Sequence, residues 1–249
     1  MTQRPGGQID VFGELGAATS RFADLVGQAT GDEAVPACEG WTVRDLAVHL
    51  GAIHRWAAAI VIGGQRVPEP TPLIAGPIGS WYAGTAEALL AVLRAVSPDE
   101  IVPNFSRIDE TAAFWPRRQL HETTVHVVDL QQALGHGAGQ WAVPAQIAAD
   151  GIDEVLRIFF PRLTAGGRGP DVRSRIRFVA ADLDRSWIIA PGEGESDPPV
   201  QMPPTAEADA VVTGSASDLY LALWHRVPPE SLQFQGDDGL ALLAGRTTP

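Results

Sequence analysis

The chain is 249 residues long, 45% hydrophobic and 19% charged, which excludes a disordered polymer and provides for one large domain or two ordinary ones. Its formal net charge of −12 excludes the basic footprint by which proteins hold nucleic acid or anionic membranes. Cys38 is the single cysteine, so an internal disulfide is ruled out and a reducing cytoplasm is compatible. Every basic residue is Arg, and with abundant Ala, Gly and Pro this suggests a GC-rich genome. The opening "MTQRPGGQID" lacks an apolar signal core. The longest apolar run, "WAAAIVI" at 56–62, is too short for a bilayer span, so a soluble cytoplasmic protein is expected.

Taken in chain order, "VFGELGAATSRFADLVGQ" sets Phe12, Leu15, Phe22, Leu25 and Val26 on one helical stripe. A second helix is expected from Val43 to Ile62, with Thr42 as N-cap, Asp45 at capping-box spacing, and Gly63-Gly64 as its stop. After a Pro-rich loop, a third runs from Ile78 to Val96 and a fourth from Pro116 to Gly135. "PAQIAADGIDEVLRIFF" reads as a fifth, ended by Pro161. Beyond "TAGGRGP" the texture changes to strands, "RSRIRFVAAD", "RSWIIAPG", "ADAVVTG" and "SLQFQGD", with one helix, "SASDLYLALWHR", between the last two. "PGEGESDPPVQMPPT" reads as a loop joining strands. The expected architecture is a four- or five-helix bundle over residues 1–163, followed by a small α+β domain over 168–249.

Chemistry concentrates in "RRQLHETTVHVVDLQQALG" (117–135). Glu122 and His126 are one helical turn apart and share a face. His49, flanked by Leu46 and Leu50 on the second helix, is the natural third donor. Two His and one Glu with an open position is the donor set of a catalytic zinc. Asp129, one turn beyond His126, is placed to hold the second ring nitrogen. Against this, a Glu and a His four apart commonly mark a solvated face, and a core-side His is commonly a hydrogen-bonded packing residue. His54 points away from His49 and reads as surface or packing. His121 reads as a neighbour contact or an outer donor. Cys38 reads as a packed or loop-anchoring thiol rather than a reactive one. Arg118 pairs with Glu122 or reaches a ligand.

Two stretches carry a resemblance. "CEGWTVRDLAVHL" (38–50) is similar to the first signature of the mycothiol-dependent maleylpyruvate isomerase-like family, within the DinB-like metalloenzymes. "RRQLHETTVHVVDL" resembles its second signature, and "AADGIDEVL" (148–156) its third landmark. The tail from "DAVVTGSASDLYLALWHR" onward resembles the family's small sterol-carrier-like domain. The landmarks come in the family's order and cover nearly the whole chain.

The resemblance implies a DinB-like bundle whose divalent metal, usually zinc, is held by His49, Glu122 and His126, with mycothiol as the thiol cofactor or co-substrate. It implies an enzyme in which a thiol is activated at the metal and adds to an electrophilic small molecule, giving cis–trans isomerisation. A detoxifying S-transferase and a non-catalytic small-ligand-binding protein are the alternatives. It also nominates Arg226, at a position that the family's second domain tends to keep basic, as a catalytic group for a carboxylate substrate. A helix-end Arg favoured by the dipole is the other reading of the same residue.

Overall fold

Asp10 opens α1 (Val11–Gln28) by accepting a hydrogen bond from the Gly13 N–H at 3.0 Å. The structure is a computed structural model, which describes residues 9–248 apart from 107, 109, 195, 196 and 246. Helix α2 (Val43–Gly63) carries the expected capping box. The Asp45 N–H donates to Thr42 Oγ1 at 3.3 Å and the Thr42 N–H donates to Asp45 Oδ2 at 2.9 Å. Gly64 ends the helix in the left-handed region, at φ 60°, as a glycine there can without strain. Helices α3 (Ile78–Ala95) and α4 (Phe114–Ala133) complete the set, α4 starting two residues ahead of Pro116.

Contacts divide the described chain into two units, Met1–Trp141 and Ala142–Pro249. In the first, α1 and α2 each pack on both α3 and α4 and little on each other. The helices therefore stand in the ring order α1–α3–α2–α4, and α2 and α4 are neighbours. The core joins Phe22, Leu25 and Val26 of α1 to Leu46, Ala47 and Leu50 of α2, Tyr82 and Ala86 of α3, and Leu130 of α4. By length and composition α2 passes for a bilayer span, longer than "WAAAIVI" alone suggests. In the bundle its apolar stripe is taken up by α3 and α4.

The division falls ahead of the 163/168 boundary read from the sequence. The fifth helix, α5 (Ala145–Glu154), packs on α7 (Ala216–Leu223) of the second unit. Composition changes only at "TAGGRGP", but the partner of an apolar face decides its unit. Nor does this helix stop at Pro161. It passes through a π-helical stretch, Val155–Phe159, into α6 (Phe160–Ala165), where Pro161 occupies the first turn and needs no N–H.

Strands β1 (Ile176–Ala180), β2 (Arg185–Ala190), β3 (Val200–Met202), β4 (Ala210–Gly214) and β5 (Gln233–Gln235) form one mixed sheet in the order β3-β2-β1-β4-β5. Among the described residues, only the β1–β4 pair is parallel. β3 lies within the segment read as loop, since three residues between prolines give no alternation to read. Helix α8 (Asp238–Ala244), against β4 and β5, was likewise not foreseen.

Candidate metal centre

Helix α4 is the least apolar of the bundle helices by sequence, yet it buries Arg118, Gln119, His121, Thr123, Thr124, His126, Asp129 and Gln131. Polar groups removed from water must be paired or they destabilise the fold. Part of the pairing is local: Thr123 and Thr124 donate to the carbonyls of Gln119 and Leu120, each at 2.7 Å. Gln131 donates to the Gln140 carbonyl at 2.7 Å and Gln119 pairs with His54, while Arg118, His126 and Asp129 belong to a charged cluster shared with α2.

Glu122 is the centre of that cluster. Its Oε1 lies 3.4 Å from His126 Nε2 and 3.6 Å from His49 Nε2, and its Oε2 accepts from Arg118 at 2.5 Å. The two imidazoles stand edge to face, with ring centroids 5.2 Å apart. The donor atoms of His49, Glu122 and His126 all lie within 4.8 Å of one another. Bonds of about 2.0–2.1 Å in a tetrahedron put neighbouring ligands about 3.3 Å apart. Both His–Glu edges are close to that length, and His/Glu/His is a donor set that suits zinc with a position to spare. In donor chemistry and in both His–Glu edges, the trio suits a divalent cation.

The surroundings orient the donors. His126 Nδ1 donates to Asp129 Oδ2 at 2.9 Å, which leaves Nε2 directed at Glu122. Asp129 is fully buried and also accepts from Cys38 Sγ at 4.0 Å. Trp41 presents a tilted ring to His49, centroids 5.0 Å apart. Arg118, 3% exposed, pairs with Glu122, as one of the two sequence readings had it. His54 is a core residue: fully buried, with Nδ1 against Gln119 Oε1 at 2.8 Å and Nε2 against the Tyr82 hydroxyl at 3.2 Å. Its burial pushes its pKa down to about 4, so it stays neutral. His121 is buried as well. Sequence reasoning passed over Trp41, although its place just ahead of the Thr42 cap, two turns before His49, was a usable signal.

Burial alone would raise the pKa of Glu122, but Arg118 and the two imidazoles outweigh it and hold the carboxyl well below its usual range. For His126, burial works against the charged form. Hydrogen bonds to Asp129 and Glu122 overcome it and lift the imidazole to about 9. Without a metal this site therefore keeps a proton where a cation would sit. Zinc uptake at pH 7 should then release roughly one proton per ion, and apparent affinity should climb with pH until about 9. An indicator-dye titration reads both, and an affinity flat from pH 6 to 9 would contradict them. In metal-free protein the raised pKa adds stability that is complete below about pH 6.5 and is lost as pH rises through about 9.

Arg226 lies in the second unit, where α7 ends with His225 in the left-handed region at φ 58° and the Arg226 N–H on the Leu221 carbonyl at 2.8 Å. Its guanidinium donates to the Trp224 carbonyl at 2.6 Å.

Two family models match the chain: the mycothiol maleylpyruvate isomerase N-terminal domain over residues 12–131, and the MDMPI C-terminal domain over 146–244. No curated protein matches it. Among solved structures, a mycothiol-dependent maleylpyruvate isomerase aligns at 15% identity with a TM-score of 0.61, covering 91% of this chain and 92% of that one. A histidine-to-alanine variant described by the same name aligns at 14% identity with a TM-score of 0.63 and the same coverage. At such identities the likeness is one of fold.

Proposed function

The chain belongs to the mycothiol maleylpyruvate isomerase family, and from that premise we propose that it is a metal-dependent, mycothiol-using enzyme acting on a small electrophile by reversible thiol addition, the net result being cis–trans isomerisation. The observation that carries the reading is the gathering of His49, Glu122 and His126, with donor atoms within 4.8 Å of one another. A divalent cation held there supplies the positive charge that makes a thiol ionise at neutral pH.

The protein's own groups prepare that site. Arg118 and the imidazoles keep Glu122 ionised, so the carboxylate is a ligand across the physiological range. Asp129 fixes the ring of His126, so that Nε2 rather than Nδ1 faces the cluster. Arg226 is the proposed anchor for a substrate carboxylate, because a guanidinium engages both oxygens at once. Its support is the family resemblance of its position.

The test is the fate of the thiol. Purified protein is incubated with mycothiol and a cis-configured unsaturated dicarboxylate, and remaining thiol and product geometry are followed together. The expected result is a trans product with thiol undiminished. A stable thioether formed with stoichiometric loss of thiol would instead make the protein an S-transferase. In the same assay Arg226→Ala should raise KM at least about tenfold, the loss of one charge-assisted pair, with metal content unchanged. An unaltered KM would remove Arg226 from the site.

A further inference from the structure

Ahead of α2 the chain closes a tight turn. The Cys38 N–H donates to the Val35 carbonyl at 3.1 Å, Trp41 N–H to the Cys38 carbonyl at 3.0 Å, and Val35 N–H to the Trp41 carbonyl at 2.9 Å. The turn is fastened at both ends. Val43 and Arg44 N–H groups donate to the carbonyls of Glu33 and Gly31, and the Glu33 carboxylate accepts from the Thr30 and Gly31 N–H groups at 2.8 and 2.9 Å. Val35 is 3% exposed and belongs to the same core cluster as Leu46 and Leu50. Such a segment is anchored at its backbone and leaves its side chains little freedom.

Two of those side chains reach the His/Glu/His cluster from outside. Cys38 Sγ meets Asp129 Oδ2, the same oxygen that accepts from His126 Nδ1. Trp41 meets the ring of His49, with 61° between the planes. One turn thus touches the supports of the two imidazoles, which come from different helices. A buried carboxylate orients its histidine only if its own rotation is fixed, and a second donor on one oxygen helps to fix it. His49 is the more exposed imidazole, its side chain 29% accessible against 10% for His126, so it has more room to leave its rotamer unless a ring blocks it.

We propose that the 35–41 turn is a positioning element of the metal centre, in which Cys38 steadies Asp129 and through it His126, while Trp41 holds the ring of His49. This assigns the cysteine a structural task toward the site and makes neither residue a ligand. It rests on the metal reading above. At 4.0 Å the thiol contact is a weak one, so its effect should fall near or below the tenfold lower bound seen for groups hydrogen-bonded to metal ligands.

The test is a cobalt titration of metal-stripped full-length protein, with affinity taken from competition against a chelator and geometry from the visible d–d bands. Cys38→Val and Trp41→Ala should each bind cobalt about five- to tenfold more weakly, with shifted bands. Cys38→Ser, which keeps a donor, and Trp41→Phe, which keeps a ring, should stay within about twofold of the parent protein. Parental affinity and spectra in Cys38→Val and Trp41→Ala would overturn the proposal. So would equal losses in the Ser and Phe variants, since the effect would then be general destabilisation. A thiolate-to-cobalt charge-transfer band in the parent protein would make Cys38 a ligand and overturn it too. A parent protein that takes up no cobalt would instead bring down the metal reading itself, a separate and recognisable outcome.

Discussion

Purified protein is expected to carry about one divalent ion per chain, and His126→Ala less than about a tenth of that. The substitution removes one of three donors and with it the Nδ1 hydrogen bond that engages buried Asp129. Glu122 then keeps Arg118 at 2.5 Å, which competes with any remaining cation for the carboxylate. A two-donor site of Glu122 and His49 has the composition of many surface ion pairs and no particular claim on zinc. Since a metal at a reacting centre supplies several kcal/mol of charge stabilisation, and each 1.4 kcal/mol is tenfold in rate, turnover should fall by about a thousandfold. Elemental analysis after dialysis reads the first effect and steady-state kinetics the second. Full metal occupancy in His126→Ala would remove this residue from the site.

The largest stability effect is expected in the second unit, at Gly151→Ala. A Cβ built on Gly151 lies 2.4 Å from Tyr220 Cε2 and within 3 Å of Cζ and Cδ2. Tyr220 is fully buried on α7, and the close approach of α5 to α7 depends on the missing side chain. Alanine would bring about 1 kcal/mol of helix propensity. Overpacking against a ring with nowhere to go costs about 3 kcal/mol. The net loss should therefore be about 2 kcal/mol by denaturant titration. Tyr220→Leu in the same chain should recover part of it, because the shared contact is what couples the two positions. A Gly151→Ala protein as stable as the parent would show that α5 can back away from α7.

Much of the site was legible because its determinants are local. The four-residue spacing of Glu122 and His126 and the placement of Asp129 follow from helical periodicity alone, whereas the approach of His49 to that pair depends on how α2 packs on α4. The Thr42–Asp45 capping box is equally local. What escaped the sequence is non-local or lacks a pattern. Cys38 and Asp129 are 91 residues apart, and nothing in either segment announces the other. His54 reads as surface or packing, and its place four residues after Leu50 favours packing, but its partners Gln119 and Tyr82 come from other helices and have no local signal. The contact division falls ahead of the boundary read from the sequence because a change of composition is easier to see than the face α5 buries. Pro161 looked like a stop because the π-helical stretch that admits it has no sequence signature of its own.

X-ray absorption at the zinc edge, on protein loaded with one equivalent of zinc and no added thiol, reads the coordination shell itself. A zinc site of His49, Glu122 and His126 predicts two imidazoles and one carboxylate oxygen, with light-atom distances of about 2.0–2.2 Å, and loss of one imidazole's outer scattering in His49→Ala. A sulfur scatterer at about 2.3 Å, or a shell of water oxygens without imidazole, would contradict it.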